Sequence, residues 1–324
     1  MGKHNNNGRY DEAEARYIQS QNHLDAEASV FLARELTHIR AQTLTVKKAP
    51  LNAFAVFPVQ TDIPAGAETA IQRIYDGVGM AEIISNFSDD LRRVDVVAKE
   101  VSVKVFMLGD SYGYNFREVK NAQFAGKNLD ALRAQQARRG IDLKLNKLAW
   151  FGDEKHNITG FIKNPNISSF ALPNDGTGSK TQLKTKSVDN VIRDMNDFID
   201  SIPTATNEVE QANAVLLSPA VYRHLAETRI PNTEGQTILE FLKSVHPEIT
   251  RWMKVGELKS AAADGTDLMV AGHFDPTYIK FEIPERFNQL PVEQRNLEYV
   301  VNCVSEAVGV TVTMPMAFVM AKGA

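Results

Sequence analysis

Apolar residues at Leu129, Leu132, Ile141, Leu145 and Leu148 recur mostly at spacings of three and four, with lysine and arginine between them. That spacing lines the apolar side chains along one stripe of a helix and leaves the charges on the other faces. The pattern predicts the longest helix of the chain. Asn128 is a good N-cap, Asp130 lies in the first turn where the helix dipole favours an anion, and the pattern stops at Phe151-Gly152. About 22 residues at 1.5 Å each make a rod of about 33 Å, better suited to a scaffold than to an active site.

Earlier in the chain, residues 10–40 show a helical pattern through Leu24, Phe31, Leu32, Leu36 and Ile39, behind a polar start at 1–9. Residues 44–64 are broken by Pro50, Pro58 and Pro64 and carry the apolar run Phe54-Ala55-Val56-Phe57. This segment reads as extended and suited to lie along another subunit. The period then switches to two. Val101, Val103, Val105 and Met107 face one way and Ser102, Lys104 and Phe106 the other, the signature of a half-buried strand. A strand-like run at 70–85 precedes it across a polar turn at 86–93, so the pair predicts a long two-stranded hairpin. An isolated hairpin is marginal in water, and a neighbouring molecule is the natural surface for this one.

Beyond the long helix, 172–185 is rich in Gly, Thr, Asn and Lys and reads as a loop opening a second region. A helix follows from the capping Ser187, with the stripe Val188, Val191, Ile192, Met195, Phe198 and Ile199, stopped by Pro203. Next come a strand at 214–217, a helix after Ser218-Pro219, a helix through Ile238, Leu239, Leu242 and Val245, and strands near Trp252, Met269 and Ile279. Two strand-like runs broken near Gly309 end the chain and are long enough to return to the sheet of the first region. Alternating strands and helices give an α+β or α/β organisation.

With 324 residues, 43% of them hydrophobic and 23% charged, the composition is that of a folded globular chain. A net charge of −4 supplies no overall basic field to hold nucleic acid by counterion release. The single cysteine, Cys303, excludes an internal disulfide and reads as a small buried hydrophobe. The opening MGKHNNNGRY lacks an apolar core for export and the Ser or Thr of a myristoylation signal, and 308–321 is too short to cross a bilayer as a helix.

Candidate chemistry is sparse. Gly176 to Thr181 lacks the spacing of a phosphate loop. Gly109-Asp110-Ser111 resembles the nucleophile turn of a hydrolase, with Ser111 as nucleophile, but no Asp-x-x-His pair near the C-terminus serves as its base, and a hairpin-ending turn is the plainer reading. Asp153 and His156, with Glu154, form the one Asp-x-x-His pair, and a solvated turn accounts for them. The histidines at 4, 23, 38, 156, 224, 246 and 273 show no ligand spacing, so neither metal nor cofactor is expected.

Several of these stretches resemble a known family. The run Tyr75 to Ala81, then Asp89-Asp90-Leu91-Arg92-Arg93-Val94-Asp95-Val96, Gly113-Tyr114, and above all Ala149-Trp150-Phe151-Gly152-Asp153 leading to Ile158 through Ile167, is similar to tailed-phage major capsid proteins. Val215-Leu216-Leu217-Ser218-Pro219 and the segment from Gly309 to Pro315 add to the likeness. The resemblance implies the α+β Hong Kong 97-type capsid fold, shared with encapsulins. It divides the chain into an N-terminal arm (1–65), an extended hairpin loop (66–113), a peripheral domain with its spine helix (114–170 and 298–324) and an axial domain (171–297). The implied function is structural rather than enzymatic: a subunit that self-assembles as hexamers and pentamers into an icosahedral head around double-stranded DNA, held without sequence specificity. The implied location is the virion, with assembly in the host cytoplasm and no membrane. A scaffolding protein, the portal and decoration proteins are candidate partners. Asp89, Asp90, Arg92 and Arg93 at the hairpin tip are the candidate inter-subunit contacts. The alternatives are an encapsulin-type compartment and, more remotely, a serine hydrolase using Ser111.

Overall fold

The computed structural model describes residues 48–78, 95–125, 130–175 and 181–323. The helix read over 10–40, the hairpin tip with Asp89, Asp90, Arg92 and Arg93, the cap Asn128 with Leu129, and residues 176–180 lie outside the described residues, as does the side chain of Leu132. The chain divides into residues 1–50 and 51–324, and every described helix and strand belongs to the second.

In chain order, helix α1 (Ala53–Val56) is followed by strands β1 (Val59–Gln60), β2 (Thr69–Val78), β3 (Asp95–Lys104) and β4 (Phe106–Asn115), then by helices α2 (Phe116–Ala125) and α3 (Asp130–Phe151). Short strands β5 (Gly152–Asp153), β6 (Ile158–Thr159) and β7 (Ser168–Phe170) lead to α4 (Val188–Thr206). Then come β8 (Ala214–Leu217), α5 (Pro219–Glu227), α6 (Ile238–Val245), β9 (Arg251–Lys254), β10 (Leu268–Gly272) and β11 (Ile279–Glu282). The chain ends in β12 (Glu285–Gln289), β13 (Glu293–Arg295), β14 (Glu298–Ala307), β15 (Gly309–Val312) and β16 (Phe318–Lys322).

The long helix α3 has the expected 22 residues. Ile141, Leu145 and Leu148 of its stripe are buried, and Ala137, Ala149 and Trp150 join them. At its C-terminal end Trp150 meets Phe57 and Phe161, which link it to Phe274 and Phe318 in one aromatic cluster, with ring centroids 4.7 Å apart for Phe57–Trp150 and 5.2 Å for Phe274–Phe318.

A five-stranded sheet, ordered β7-β16-β10-β8-β9, separates two cores. Successive side chains of a strand point to opposite faces. Thus Ala214, Leu216, Val270, Phe318 and Met320 join the core around α3. Val215, Leu217, Met269, Ala271, Val319 and Ala321 join the core around α4, α5 and α6. Burial on both faces makes these strands continuous apolar runs rather than alternating ones. The C-terminal strand β16 therefore enters this sheet, while β14 pairs along its whole length with β4, from Glu298↔Asn115 to Ala307↔Phe106.

Several local expectations are corrected. Of the run Phe54-Ala55-Val56-Phe57 only Phe57 is extended: α1 is a helical turn whose Ala53 N–H donates to Asn146 Oδ1 (2.9 Å), and Phe57 is buried in the chain's own aromatic cluster. Helix α4 runs past Pro203 to Thr206 and ends at the left-handed Asn207 (φ 52°), because a proline in the last turn removes only one intrahelical bond. Ser187 makes no side-chain cap. The charge that does organise this end is buried: Lys186 reaches Asp194, Asp175 (3.1 Å) and the Pro173 carbonyl (2.6 Å), and Arg193 closes the cluster onto both aspartates. The alternation read through 101–107 breaks at Val105, which separates β3 from β4 and leaves Met107 exposed.

Candidate assembly surfaces

Strands β2 and β3 pair antiparallel over ten residues each, from Thr69↔Lys104 to Val78↔Asp95. Among the described residues neither strand pairs with any other. Ten residues at about 3.4 Å make a ribbon of about 34 Å. Ile71 is 63% exposed on it, and Arg73 bonds Glu100 directly across the ladder at 2.8 Å, with both side chains in solvent. The base of the ribbon is tied to the body by a main-chain donor. The Gly66 N–H donates to both oxygens of the buried Glu306 carboxylate (2.9 and 3.2 Å), while the Val105 N–H donates to the Glu68 carbonyl (3.0 Å) and adds one more rung to the ribbon at its base. Gly66 takes φ +86°, a conformation that favours glycine. The charged tip, Asp89, Asp90, Arg92 and Arg93, lies outside the described residues.

Gly109-Asp110-Ser111 is not a turn. All three sit inside β4, with Ser111 opposite Asn302 of β14. The strand ladder overrides their turn chemistry. The Ser111 N–H donates to Asp110 Oδ1 (2.8 Å), and the cleft beside it is lined by Tyr112, Arg133, Gln136 and Ala137, with no histidine to act as base.

Asp153 and His156 are brought together, with His156 Nδ1 3.4 Å from Asp153 Oδ1, but Asp153 is otherwise engaged. Its carboxylate accepts from Lys144 Nζ (2.8 Å) and from the Lys155 N–H (3.1 Å), and the lysine beside it holds its pKa down to about 2. Glu154 bonds Lys163 at 2.6 Å instead of joining them. Among the described residues no group of three His, Cys, Asp or Glu side chains is placed to hold a metal ion. The turn is a piece of architecture. Gly152 (φ +71°) and Gly160 lie backbone to backbone, and the Asn166 N–H donates to Asn164 Oδ1 (3.0 Å) in the loop that follows.

Glu306 and Glu282, two buried carboxyls near the hairpin base, carry no local sequence signal. Burial pushes the Glu282 carboxyl above its ordinary 4.5, against a 2.8 Å hydrogen bond from the Thr311 hydroxyl. A carboxyl with a raised folded pKa stabilises the fold while protonated, so stability falls as pH climbs from the ordinary value through the raised one. Glu282→Gln is expected to flatten that slope and to raise the melting temperature at neutral pH. Melting curves between about pH 5 and pH 8 check this, and a slope equal to that of the unaltered protein would refute it.

Residues 79–323 match the family described as major capsid protein. The fold is similar to the capsid of Myoviridae phage XM1, with a TM-score of 0.74 at 18% identity, covering 90% of this chain and 98% of that one. It is similar to the capsid of a native GTA particle, with a TM-score of 0.63 at 10% identity, covering 93% and 99%. A virus-like particle from Pyrococcus furiosus is less similar, with a TM-score of 0.51 at 12% identity, covering 82% and 90%. No curated protein sequence matches. The expected α+β capsid fold is therefore the fold of this chain. Since the family match spans well over half of its length, the chain belongs to the major capsid protein family.

Proposed function

We propose that this phage-head subunit assembles as hexamers and pentamers into a closed icosahedral shell around double-stranded DNA, and that it performs no chemistry. The observation that carries the reading is the β2–β3 ribbon, ten residue pairs that among the described residues pair with no other strand, with Ile71 and the Arg73–Glu100 pair in solvent. A two-stranded ribbon is marginal in water, so it calls for a surface that another copy supplies. The regions 1–65, 66–113, 114–170 with 298–324, and 171–297 are divisions of role in the shell rather than independent folding units, since β16 sits in the sheet of the axial region. Packaged DNA is held without sequence recognition, consistent with the net charge of −4. A scaffolding protein, the portal and decoration proteins are its candidate partners, and the particle forms in the host cytoplasm. Electron microscopy of the purified protein with size-exclusion chromatography tests the reading. Shells or rings of six and five support it, and a monomer at every concentration would overturn it.

Two substitutions probe the surfaces. Ser111→Ala is expected to leave shell yield unchanged, because Ser111 is a strand residue without a base; a loss of infectious particles with normal shells would revive a catalytic role. At the hairpin tip, reversing Arg92 and Arg93 to Glu is expected to lower shell yield while leaving the melting temperature of unassembled protein nearly unchanged. One exposed ion pair contributes only about 0–1 kcal/mol, but the shell repeats it in every copy. The loss should be larger at low salt, where charges are less screened. Normal shells across the salt range would leave the tip as a solvated turn.

A further inference from the structure

The free strand edges of this chain are treated unequally. On β4 the edge away from β14 is plugged by side chains. The Phe116 N–H bonds Leu297 O across the β4–β14 ladder, so alternation turns the main-chain groups of Ser111 and Gly113 outward. The Ser111 N–H is taken by Asp110, and the Gly113 carbonyl by Arg133. The edge strand β13 carries Glu293 and Arg295. Both are recognised ways of blunting an edge against strand addition.

Among the described residues two other edges carry no such plugs, and they face one cleft. The Phe281 and Ile283 N–H groups bond to β1 and its preceding Pro58, and the Thr313 N–H bonds Tyr278 O. By alternation, Gly309 and Thr311 of β15 point to β11, while the N–H and C=O of Val310 and Val312 point away from it. On the ribbon, the Val105 N–H bonds Glu68 O, so Ser102 and Lys104 of β3 turn their main-chain groups away from β2. Ser102, Lys104, Val310 and Val312 all line a cleft of about 530 Å³, with the apolar Ile158 and Val308 in its wall. Among the described residues no main-chain partner pairs these edges.

We propose that this cleft is a strand-addition site, filled by residues 43–47 of a second copy of the chain. Thr43-Leu44-Thr45-Val46-Lys47 is a strict polar–apolar alternation rich in β-branched residues, immediately before the described chain begins at 48. Its Leu44 and Val46 suit the apolar wall, and its main chain satisfies both edges at once, as in other cases of strand addition. Pro50 stops the strand from running on into α1. The eight residue steps from Thr45 to Ala53 reach at most about 29 Å, so the start of the donor copy's α1 must lie within that distance of the acceptor's cleft. The inference rests on the shell reading and adds the contact that links one subunit to the next.

Hydrogen exchange on the full chain, before and after assembly, tests it. The amides of Ser102, Lys104, Val310 and Val312 should exchange rapidly in unassembled protein and at least about tenfold more slowly in shells, as expected for newly paired strand amides. Thr45→Pro removes a donor that either edge would use, and should abolish this protection and cut shell yield, whereas Thr45→Ala should do neither. Mixing a Thr45→Cys chain with a Ser102→Cys chain should give an intermolecular disulfide in shells; the native Cys303 is buried and does not compete. Shells without slowed exchange would overturn the site and leave the shell reading intact. Slowed exchange that survives Thr45→Pro would overturn the assigned segment, and a disulfide formed only within a doubly substituted chain would overturn the second copy as donor. No assembly under any condition would overturn both readings.

Discussion

Replacing Phe161 by alanine is expected to destabilise the chain by about 3–5 kcal/mol, the cost of emptying a fully buried aromatic site. The ring is fully buried and meets Phe57 at 5.2 Å, Phe318 at 5.7 Å and Trp150 at 6.1 Å between centroids. Those neighbours come from the residue that follows α1, from β16 and from the end of α3, so one side chain joins three parts of the chain far apart in sequence. Large rings held from several sides do not collapse into a cavity, which places the expected loss toward the upper end of the range. Against a total stability of about 5–15 kcal/mol the change is severe, and soluble yield and shell formation should fall together. Phe161→Leu refills most of the space and should cost less. Denaturant unfolding decides the matter: an alanine variant with an unchanged midpoint would show that the ring is not packed as described.

The elements legible in the sequence are those whose burial repeats with their own geometry. Leu145 and Leu148 announced the buried stripe of α3, and the run Ala214–Leu217 announced a strand. What that run concealed was the division of its alternate side chains between two cores, because both faces are apolar and no period distinguishes them. Phe54 to Phe57 misled for a related reason. Four apolar residues between prolines cannot be told apart as strand or helix, and the deciding hydrogen bond to Asn146 comes from 93 residues away. Ser111 misled because Gly-Asp-Ser has the chemistry of a turn, while its pairing with Asn302 of β14 is decided by the whole strand. Of the assembly surfaces, the ribbon was visible as alternation on either side of a polar turn. Its anchor was not: Glu306 bonds Gly66 across 240 residues, and nothing local marks that carboxylate.

Gly160→Ala is expected to be as damaging as the loss of a core ring, although it adds only one methyl group. A Cβ at this position would lie 2.2 Å from the Gly152 nitrogen and 2.3 Å from the Phe151 carbonyl carbon. Both obstacles are backbone, so no rotamer change relieves them. The backbone at Gly160 is ordinary for alanine (φ −80°, ψ 163°), and the whole cost is therefore collision. Overpacking typically costs about 1–3 kcal/mol where side chains can yield, and here about 3 kcal/mol or more is expected because β5 and β6 must part. Gly152→Ala adds a second cost. Its Cβ would lie 2.1 Å from the Ile158 carbonyl oxygen, and its φ of +71° is left-handed, worth a further 1–2 kcal/mol or roughly so. These collisions explain why Phe151-Gly152-Asp153 and Thr159-Gly160-Phe161 read as the most distinctive part of the chain: the two glycines let the backbone fold onto itself and deliver Trp150 and Phe161 to the same cluster. Gly256→Ala is the control, since a Cβ there meets nothing within 4 Å and should change stability by no more than about 0.5 kcal/mol. Melting temperatures separate the cases at about 2–4 °C per kcal/mol, and a Gly160→Ala protein that melts with the Gly256→Ala control would show that the two backbones do not touch.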